Sequence, residues 1–174
     1  MSQRTEGQKT DGRQMASERA ADGQTADEQM ASERAADEQA ARFLRQITTI
    51  AVVGLSDNPG RNSYEVAAYL QSQGYEIVPV NPNARMVLGR TARPSLRDVE
   101  GKIDLVDVFR KSEAVAEIID DAIAVGAGGV WLQLGISDEE AEKRARDAGL
   151  FVVSNRCLMM EHRRLSARRR FIQG

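Results

Sequence analysis

Residues 47–73 read ITTIAVVGLSDNPGRNSYEVAAYLQSQ, and this stretch decides the fold. It begins with a β-branched apolar run, Ile47 to Gly54, which is typical of a buried strand. After a loop, the segment Ser63 to Gln73 carries its apolar residues at helical spacing. Asn62 and Glu65 are spaced as a capping box at the start of that helix. The stretch therefore predicts a strand followed by a helix.

The same alternation of short apolar runs and helical segments continues to the end of the chain. Further strands are predicted at Tyr75 to Val80, Arg90 to Arg93, Ile103 to Phe109, Gly129 to Leu134 and Leu150 to Val153. Further helices are predicted at Ser112 to Val125, Asp138 to Ala148 and Leu158 to Ile172. Strands joined through helices favour right-handed crossovers and a parallel sheet that is covered on both faces. The sequence therefore predicts an α/β fold, with a doubly wound, Rossmann-like parallel sheet.

The first 40 residues have a different composition. Their only apolar residues are three Met and eight Ala, and they carry five basic and nine acidic residues. The octapeptide MASERAAD occurs in them twice, at Met15–Asp22 and at Met30–Asp37. Such a segment cannot bury enough apolar surface to offset its chain entropy. We predict a disordered acidic tail over residues 1–40, with a partner-binding helix as the alternative, and a single folded domain over residues 41–174.

The overall composition, with 41% hydrophobic and 29% charged residues, is typical of a soluble globular protein. The longest mostly apolar stretch, Ala124 to Ile136, is too short to span a bilayer, and the polar start of the chain does not resemble a secretory signal. A single cysteine, Cys157, is compatible with a reducing compartment. The net charge of -2 argues against nucleic-acid binding driven by charge. We expect a cytoplasmic protein whose partners include neither membrane nor nucleic acid.

Ligands of doubly wound sheets bind at the carboxyl ends of the strands, where the strand order reverses. The first loop at that edge, Gly54 to Ser63, leads into a helix N-terminus, whose free N–H groups and dipole favour phosphate. It lacks the G-x-G-x-x-G pattern of dinucleotide sites, and Asn81 stands where such sites carry an acid. Gly60 is followed by Arg61 and Asn62, which also excludes a P-loop. The loop therefore predicts a phosphate site that is neither a standard NAD site nor a P-loop, and a simple tight turn is the alternative.

Five motifs in order carry a family resemblance: IAVVGLSDNPGRNSYEVAAYL, VPVNPN, VDVFR, VWLQLGI and NRCLMMEHRRL. Over residues 43–166 the chain resembles the stand-alone CoA-binding domain proteins, relatives of the CoA-binding domain in the succinyl-CoA synthetase alpha subunit. The resemblance implies that CoA is the bound cofactor. It also implies that residues 54–59 hold the CoA phosphates, residues 81–85 flank the adenosine and residues 132–134 line the pantetheine path.

The candidate cofactor-binding residues all lie on these loops or on the loop after the third long strand. They are Gly54, Leu55, Ser56, Asp57, Asn58, Pro59, Ser63, Asn81, Arg85, Phe109, Arg110, Leu132, Gln133 and Leu134. CoA would present a diphosphate to the helix N-terminus and its 3′-phosphate to a cation, for which Arg85 is the first candidate and Arg61 the second.

No set of residues predicts a catalytic centre or a metal site. Cys157 and His162 lie five residues apart and do not share a helical face, so Cys157 is interpreted as a packing residue, with thiol exchange with CoA as the alternative. One Cys and one His are too few ligands for zinc. Asp104 and Asp107 point to opposite faces of a strand and form no dyad; Asp107 is expected to cap the local backbone.

The sequence therefore predicts a module that binds CoA or an acyl-CoA without catalysing a reaction. The alternatives are a nucleotide-dependent enzyme, either a divergent NAD(P) oxidoreductase or one half of an acyl-CoA synthetase, and an interaction protein that uses its repeated tail.

Overall fold

The structure is a computed structural model that describes the backbone of residues 12–172 and the side chains of residues 26–167. The chain divides into two compact units between Ala40 and Ala41. Helix α1 runs from Gly12 to Gln46.

Residues 12–40 belong to this helix and residues 1–11 lie outside the described part, so the disorder predicted for residues 1–40 stays a prediction. Ala, Glu, Gln and Arg dominate residues 12–40, and these residue types favour a helix without needing a core. Residues 26–36 are all exposed, in keeping with a segment that has no apolar face.

The domain that begins at Ala41 alternates strands and helices as predicted. In chain order its elements after α1 are β1 (Thr49–Val53), α2 (Asn62–Ser72), β2 (Glu76–Val80), β3 (Met86–Val87), β4 (Arg90–Thr91), β5 (Leu105–Val108), α3 (Val115–Ala124), β6 (Gly129–Leu132), α4 (Glu139–Asp147), β7 (Phe151–Val153) and α5 (Leu158–Ile172). Short 3-10 turns lie at Leu96–Asp98 and Ser112–Ala114.

Five of the strands form one parallel sheet in the order β2-β1-β5-β6-β7. The chain moves outward from β1 to β2 on one side and then crosses to β5 on the other. This reversal between β1 and β5 is a topological switch point, at which doubly wound folds bind their ligands. The predicted doubly wound α/β fold is confirmed.

Apolar residues fill both faces of the sheet. Val106, Val108 and Ile119 belong to the layer beneath α3 and α4, and Val52, Leu70 and Trp131 belong to the layer beneath α2 and α5. Trp131 is fully buried, and its Nε1 donates to the Arg156 carbonyl at 2.7 Å. The three central strands, β1, β5 and β6, are buried on both faces, and this burial requires the near-continuous apolar runs from which they were predicted.

One local prediction is wrong, and another is borne out only in part. Helix α2 has Arg61 at its N-cap and no side-chain cap, so Asn62 and Glu65 form no capping box. The predicted strand at Arg90 is one arm of a two-stranded antiparallel hairpin, β3 and β4, which the sequence did not reveal. Leu88 and Gly89 both have positive φ in its turn, and a leucine there gives none of the usual Asn-Gly signature.

None of the described helices is long and apolar enough to cross a membrane.

That residues 1–40 stabilise the domain little stays a prediction. A protein that begins at Ala41 should melt within about 2 °C of the full-length chain, because an exposed segment without an apolar face adds few native contacts. Differential scanning calorimetry of both proteins measures this difference. A fall several times larger would mean that the tail stabilises the domain.

Candidate functional site

The ends of β1 and β5 meet at the switch point. Gly54 follows β1 and donates its N–H to the Val80 carbonyl at 2.9 Å, while the Phe109 N–H, just after β5, reaches the Val53 carbonyl at 2.9 Å. Gly54 has a φ of +83°, and a Cβ placed on it would lie 2.9 Å from the Phe109 carbonyl oxygen. A glycine is therefore needed here for the two strand ends to approach, whatever binds beside them.

A cleft of about 490 Å³ opens beside Gly54, and we call it the loop cleft. It is lined by Gly54, Ser56, Gly60, Arg61, Asn62, Ser63 and Phe109. Within the described residues, the backbone N–H groups of Asn62 and Ser63 have no acceptor, as expected for the first turn of α2. The loop cleft therefore brings unpaired amides, the positive end of a helix dipole and an arginine together, which suits an anion.

Side chains within the loop hold its shape. The buried Ser63 hydroxyl accepts from the Ser56 N–H at 3.1 Å, and the Ser56 hydroxyl accepts from the Asn58 N–H at 3.1 Å. Asn81, at the end of β2, donates through Nδ2 to the Leu55 carbonyl at 2.9 Å. These bonds satisfy part of the loop internally, so Ser63 and Asn81 act on its conformation.

A second cleft, of about 540 Å³, adjoins the first, and we call it the apolar cleft. Its apolar wall consists of Val66, Phe109, Leu134, Ile136, Met159 and Met160. The same cleft is lined by Asn62, Glu65, Arg110, Lys111, Gln133, Gly135 and Cys157. Because Asn62 and Phe109 line both clefts, the loop cleft and the apolar cleft adjoin at these two residues.

A third and smaller cleft, of about 170 Å³, lies on the other side of Gly54. Val80, Pro82, Pro94 and Leu96 line part of it. Val80 ends β2 and the other three residues lie between β2 and β5, so this cleft extends the site toward the loop after β2.

One buried polar pair lies beside the apolar cleft. Gln133 Nε2 donates to Asp107 Oδ1 at 2.7 Å, and Asp107 is fully buried. Burial raises the pKa of Asp107 to about 7, although hydrogen bonds from Gln133 and from the Val108 amide oppose the rise. The sequence predicted that Asp107 caps the local backbone; the Val108 amide contributes such a contact, and the side chain also has a partner in Gln133, which was not predicted.

Asp104 lies at the opposite end of the sheet. Its Oδ2 accepts from the Thr48 and Thr49 N–H groups at 2.8 and 3.1 Å, and its Oδ1 lies 2.7 Å from Lys102 Nζ. Burial alone would raise the pKa of Asp104, but the Lys102 contact and the two amides outweigh it and lower the pKa. The two aspartates therefore have separate environments.

Cys157 and His162 do not come together. Cys157 lines the apolar cleft, whereas the His162 Nδ1 lies 2.9 Å from the Tyr69 hydroxyl. Burial lowers the pKa of His162. Within the described residues, no group of three or more His, Cys, Asp or Glu is placed to hold a metal ion.

Thirteen of the fourteen predicted cofactor-binding residues fall into three groups; the other, Asn81, lines none of the three clefts and bonds the Leu55 carbonyl. Those lining the loop cleft or the apolar cleft are Gly54, Ser56, Ser63, Phe109, Arg110, Gln133 and Leu134. Asp57, Asn58 and Pro59 are exposed on the first loop, and Arg85 is exposed after β2 without lining any of the three clefts. Leu55 and Leu132 are fully buried in the core, so only their backbones can serve a ligand.

Sequence reasoning missed the helical contributions. Val66 of α2 and Met159 and Met160 of α5 line the apolar cleft. The helices were predicted, but nothing in their spacing indicates which turn faces a cleft and which faces the core.

Comparison with known proteins identifies the family. Residues 48–163 match the profile of the CoA binding domain family. The chain belongs to this family. The resemblance found in the sequence motifs is thereby confirmed, and the matched residues include all three clefts.

Two relatives match most of their own length to this chain. The chain is 40% identical over 119 residues to protein YneT of Bacillus subtilis, covering 68% of this chain and 88% of YneT. The solved structure of a hypothetical protein from Pyrococcus horikoshii OT3 superimposes with a TM-score of 0.72 and 43% identity, covering 74% of this chain and 91% of that one.

The same domain is related to part of larger synthetases. The alpha subunit of acetate–CoA ligase (ADP-forming) II from Pyrococcus furiosus is 27% identical over 131 residues. That alignment covers 68% of this chain but only 29% of the ligase subunit.

Proposed function

We propose that the protein binds CoA or an acyl-CoA along the carboxyl edge of its sheet, with no catalytic centre of its own. The observation that carries the proposal is that the loop cleft and the apolar cleft adjoin at Asn62 and Phe109. CoA is a long ligand with a charged diphosphate at its middle and a pantetheine arm at one end. A site for it needs anion-binding groups that lead directly into a less polar channel.

The loop cleft supplies the first requirement. Its unpaired Asn62 and Ser63 amides lie at the N-terminus of α2, and Arg61 lies next to them in the sequence. Backbone amides at a helix start and an arginine are the groups that proteins use most readily for a diphosphate. We assign the CoA diphosphate to this cleft.

The apolar cleft suits the pantetheine arm. Its apolar wall would contact the methylene and methyl groups, while Gln133 offers a polar group to an amide. Cys157 lines this cleft too, so the CoA thiol would arrive in its neighbourhood.

The adenosine end is assigned to the loop after β2. The third cleft approaches this loop through Val80 and Pro82. Arg85 is exposed farther along the same loop, where its side chain has freedom to reach a 3′-phosphate. Asn81 is engaged with Leu55 and Asn83, which fits a structural role in shaping this end.

A second candidate function is one part of an acyl-CoA synthetase that is completed by another chain. The relation to the acetate–CoA ligase alpha subunit favours it. In that case CoA binding would be the same, and the chemistry would take place on the partner. Catalysis by a mixture of the two chains, absent from each alone, would distinguish this function from simple binding.

Two arginine variants test the assignment of the CoA phosphates. Arg85→Ala should weaken CoA about tenfold to a hundredfold and leave dephospho-CoA nearly unchanged, because only CoA carries the 3′-phosphate. Arg61→Ala should weaken both ligands alike, because both carry the diphosphate. Calorimetric titration of CoA, dephospho-CoA and NAD against each protein measures these affinities.

Arg144→Ala is the matched control. Arg144, on α4, pairs with Asp120 at 3.2 Å, and neither residue lines any of the three clefts, so its loss should leave all affinities unchanged. Equal losses for the two ligands in Arg85→Ala would remove Arg85 from the 3′-phosphate. Tighter binding of NAD than of CoA by the unmodified protein would overturn the proposed function.

A further inference from the structure

We propose that Asp107 is a positioning residue that holds the Gln133 carboxamide with its oxygen toward the apolar cleft, where it accepts a hydrogen bond from a pantetheine amide N–H. The proposal rests on the proposed function. In this proposal, Gln133 contacts the pantetheine arm of the ligand. The buried Asp107 acts only through Gln133.

The sheet places the two side chains together. Strands β5 and β6 are parallel neighbours with Val108 opposite Leu132, and Gln133 is the first residue after β6. The Gln133 side chain reaches Asp107 Oδ1 at 2.7 Å, while the residue as a whole lines the apolar cleft. Gln133 therefore contacts the buried carboxyl of Asp107 and also lines the apolar cleft.

Atom-by-atom accounting gives the orientation. A carboxamide has two N–H donors and one acceptor oxygen, and Asp107 takes a donor. Among the described residues, Asp107 Oδ2 is the sole buried side-chain polar atom with no partner. Among the described residues, Gln133 Oε1 accepts no hydrogen bond and is not a fully buried atom, so we place it toward the cleft that Gln133 lines. A lone acceptor in a mostly apolar wall selects a ligand that offers a donor at that point.

Packing alone does not account for Asp107. Its strand neighbours Leu105, Val106 and Val108 are all fully buried apolar residues. A buried carboxyl with one unpaired oxygen costs free energy at this position, whereas an apolar residue would not. An apolar residue could not accept the hydrogen bond that Gln133 Nε2 donates to this carboxyl.

The test uses two ligands that differ in the arm. CoA carries both the phosphates and pantetheine, whereas 3′-phospho-ADP carries the same phosphates and no pantetheine. Gln133→Met keeps the length of the side chain and removes its acceptor. It should weaken CoA about threefold to tenfold and leave 3′-phospho-ADP unchanged.

Substitutions at Asp107 separate positioning from packing. Asp107→Leu removes the partner of Gln133 and should reproduce the selective loss of CoA affinity. Asp107→Asn keeps an acceptor oxygen for Gln133 and should restore most of that affinity. A purely structural residue would change both ligands together and would show no recovery with Asn. Should Asp107→Leu not fold, Gln133→Met and Asp107→Asn carry the test.

Calorimetric titration of every variant with both ligands gives the outcome. Undiminished CoA affinity in Gln133→Met, or equal losses of CoA and 3′-phospho-ADP, would overturn the inference and leave CoA binding standing. If the unmodified protein bound neither ligand, the proposed function itself would fail, and the inference with it.

Discussion

Replacing Asp107 by Asn should stabilise the protein increasingly as the pH rises from about 4 to about 7. Burial raises the pKa of Asp107 from 3.8 to about 7, so over this interval the native state keeps a proton that the unfolded chain releases. The free energy of unfolding of the unmodified protein therefore falls, by about 1 kcal/mol for each pH unit from this group. The Asn variant has no such proton to lose.

The sign is fixed by which state binds the proton. Below the unfolded pKa of Asp107, both states are protonated and its full contribution to stability is present. Above the folded pKa, both states are ionised and that contribution has been lost. The stability difference between the Asn variant and the unmodified protein should grow across the interval and be constant above about pH 7.

Asp104→Asn is a matched control of opposite sign. Its pKa is lowered, because Lys102 and the Thr48 and Thr49 amides outweigh burial, so the ionised group stabilises the native state at neutral pH. Removing that charge should destabilise the protein at neutral pH, and the difference should shrink as the pH falls below the unfolded value. Denaturant unfolding at several pH values measures both variants. Parallel pH profiles for Asp107→Asn and the unmodified protein would contradict the buried, protonated carboxyl.

Gly54→Ala should lower the free energy of unfolding by about 3 kcal/mol. About 1 kcal/mol or more comes from placing a side chain at positive φ, and the remainder comes from forcing its Cβ against the Phe109 carbonyl. Since that oxygen belongs to the backbone after β5, relief would require the ends of β1 and β5 to separate. Binding should fall as well, because Gly54 lines the loop cleft and the third cleft.

Gly135→Ala is the control that isolates the collision. Gly135 also has a positive φ, of +76°, but a Cβ on it would meet no atom within 4 Å. It should cost only the conformational part, about 1 kcal/mol. Chemical denaturation of the two variants gives the comparison. Equal losses would show that the close approach of the strand ends adds nothing to the need for glycine at position 54.

Much of the fold was predictable because buried parallel strands impose a simple pattern. Each strand is covered on both faces, so it must be a continuous apolar run, and the helices between strands must carry one apolar face. This pattern also predicts where the switch point lies and which loops reach it. The hairpin of Met86–Val87 and Arg90–Thr91 escaped because two-residue strands have no periodicity.

The sequence predicted the parts of the candidate site that lie on loops, but not the contacts that depend on where a strand ends or on strand register. Gly54 and Ser63 stand out in the sequence as a glycine and a polar residue at a helix start. The alternation of residue types does not show that Leu132 and Gln133 have different roles. Leu132, the last residue of β6, is fully buried, whereas Gln133, the next residue, lines the apolar cleft. The partnership of Asp107 with Gln133 depends on strand register, which a sequence does not state.

Residues 1–40 show a different limit of reasoning from composition. Residues 1–40 lack core-forming residues, and from this we predicted disorder. The helix over Gly12–Gln46 follows from the helix propensity of Ala, Glu, Gln and Arg, which acts residue by residue and needs no apolar face. Lack of a core and lack of secondary structure are therefore separate predictions.

A crystal structure of the protein grown with CoA tests the central claim most directly. The account predicts the diphosphate in the loop cleft, against the Asn62 and Ser63 amides, with the pantetheine arm running through the apolar cleft past Gln133. CoA bound instead at the opposite end of the sheet, in the cleft of about 320 Å³ lined by Tyr75 and His162, would contradict it.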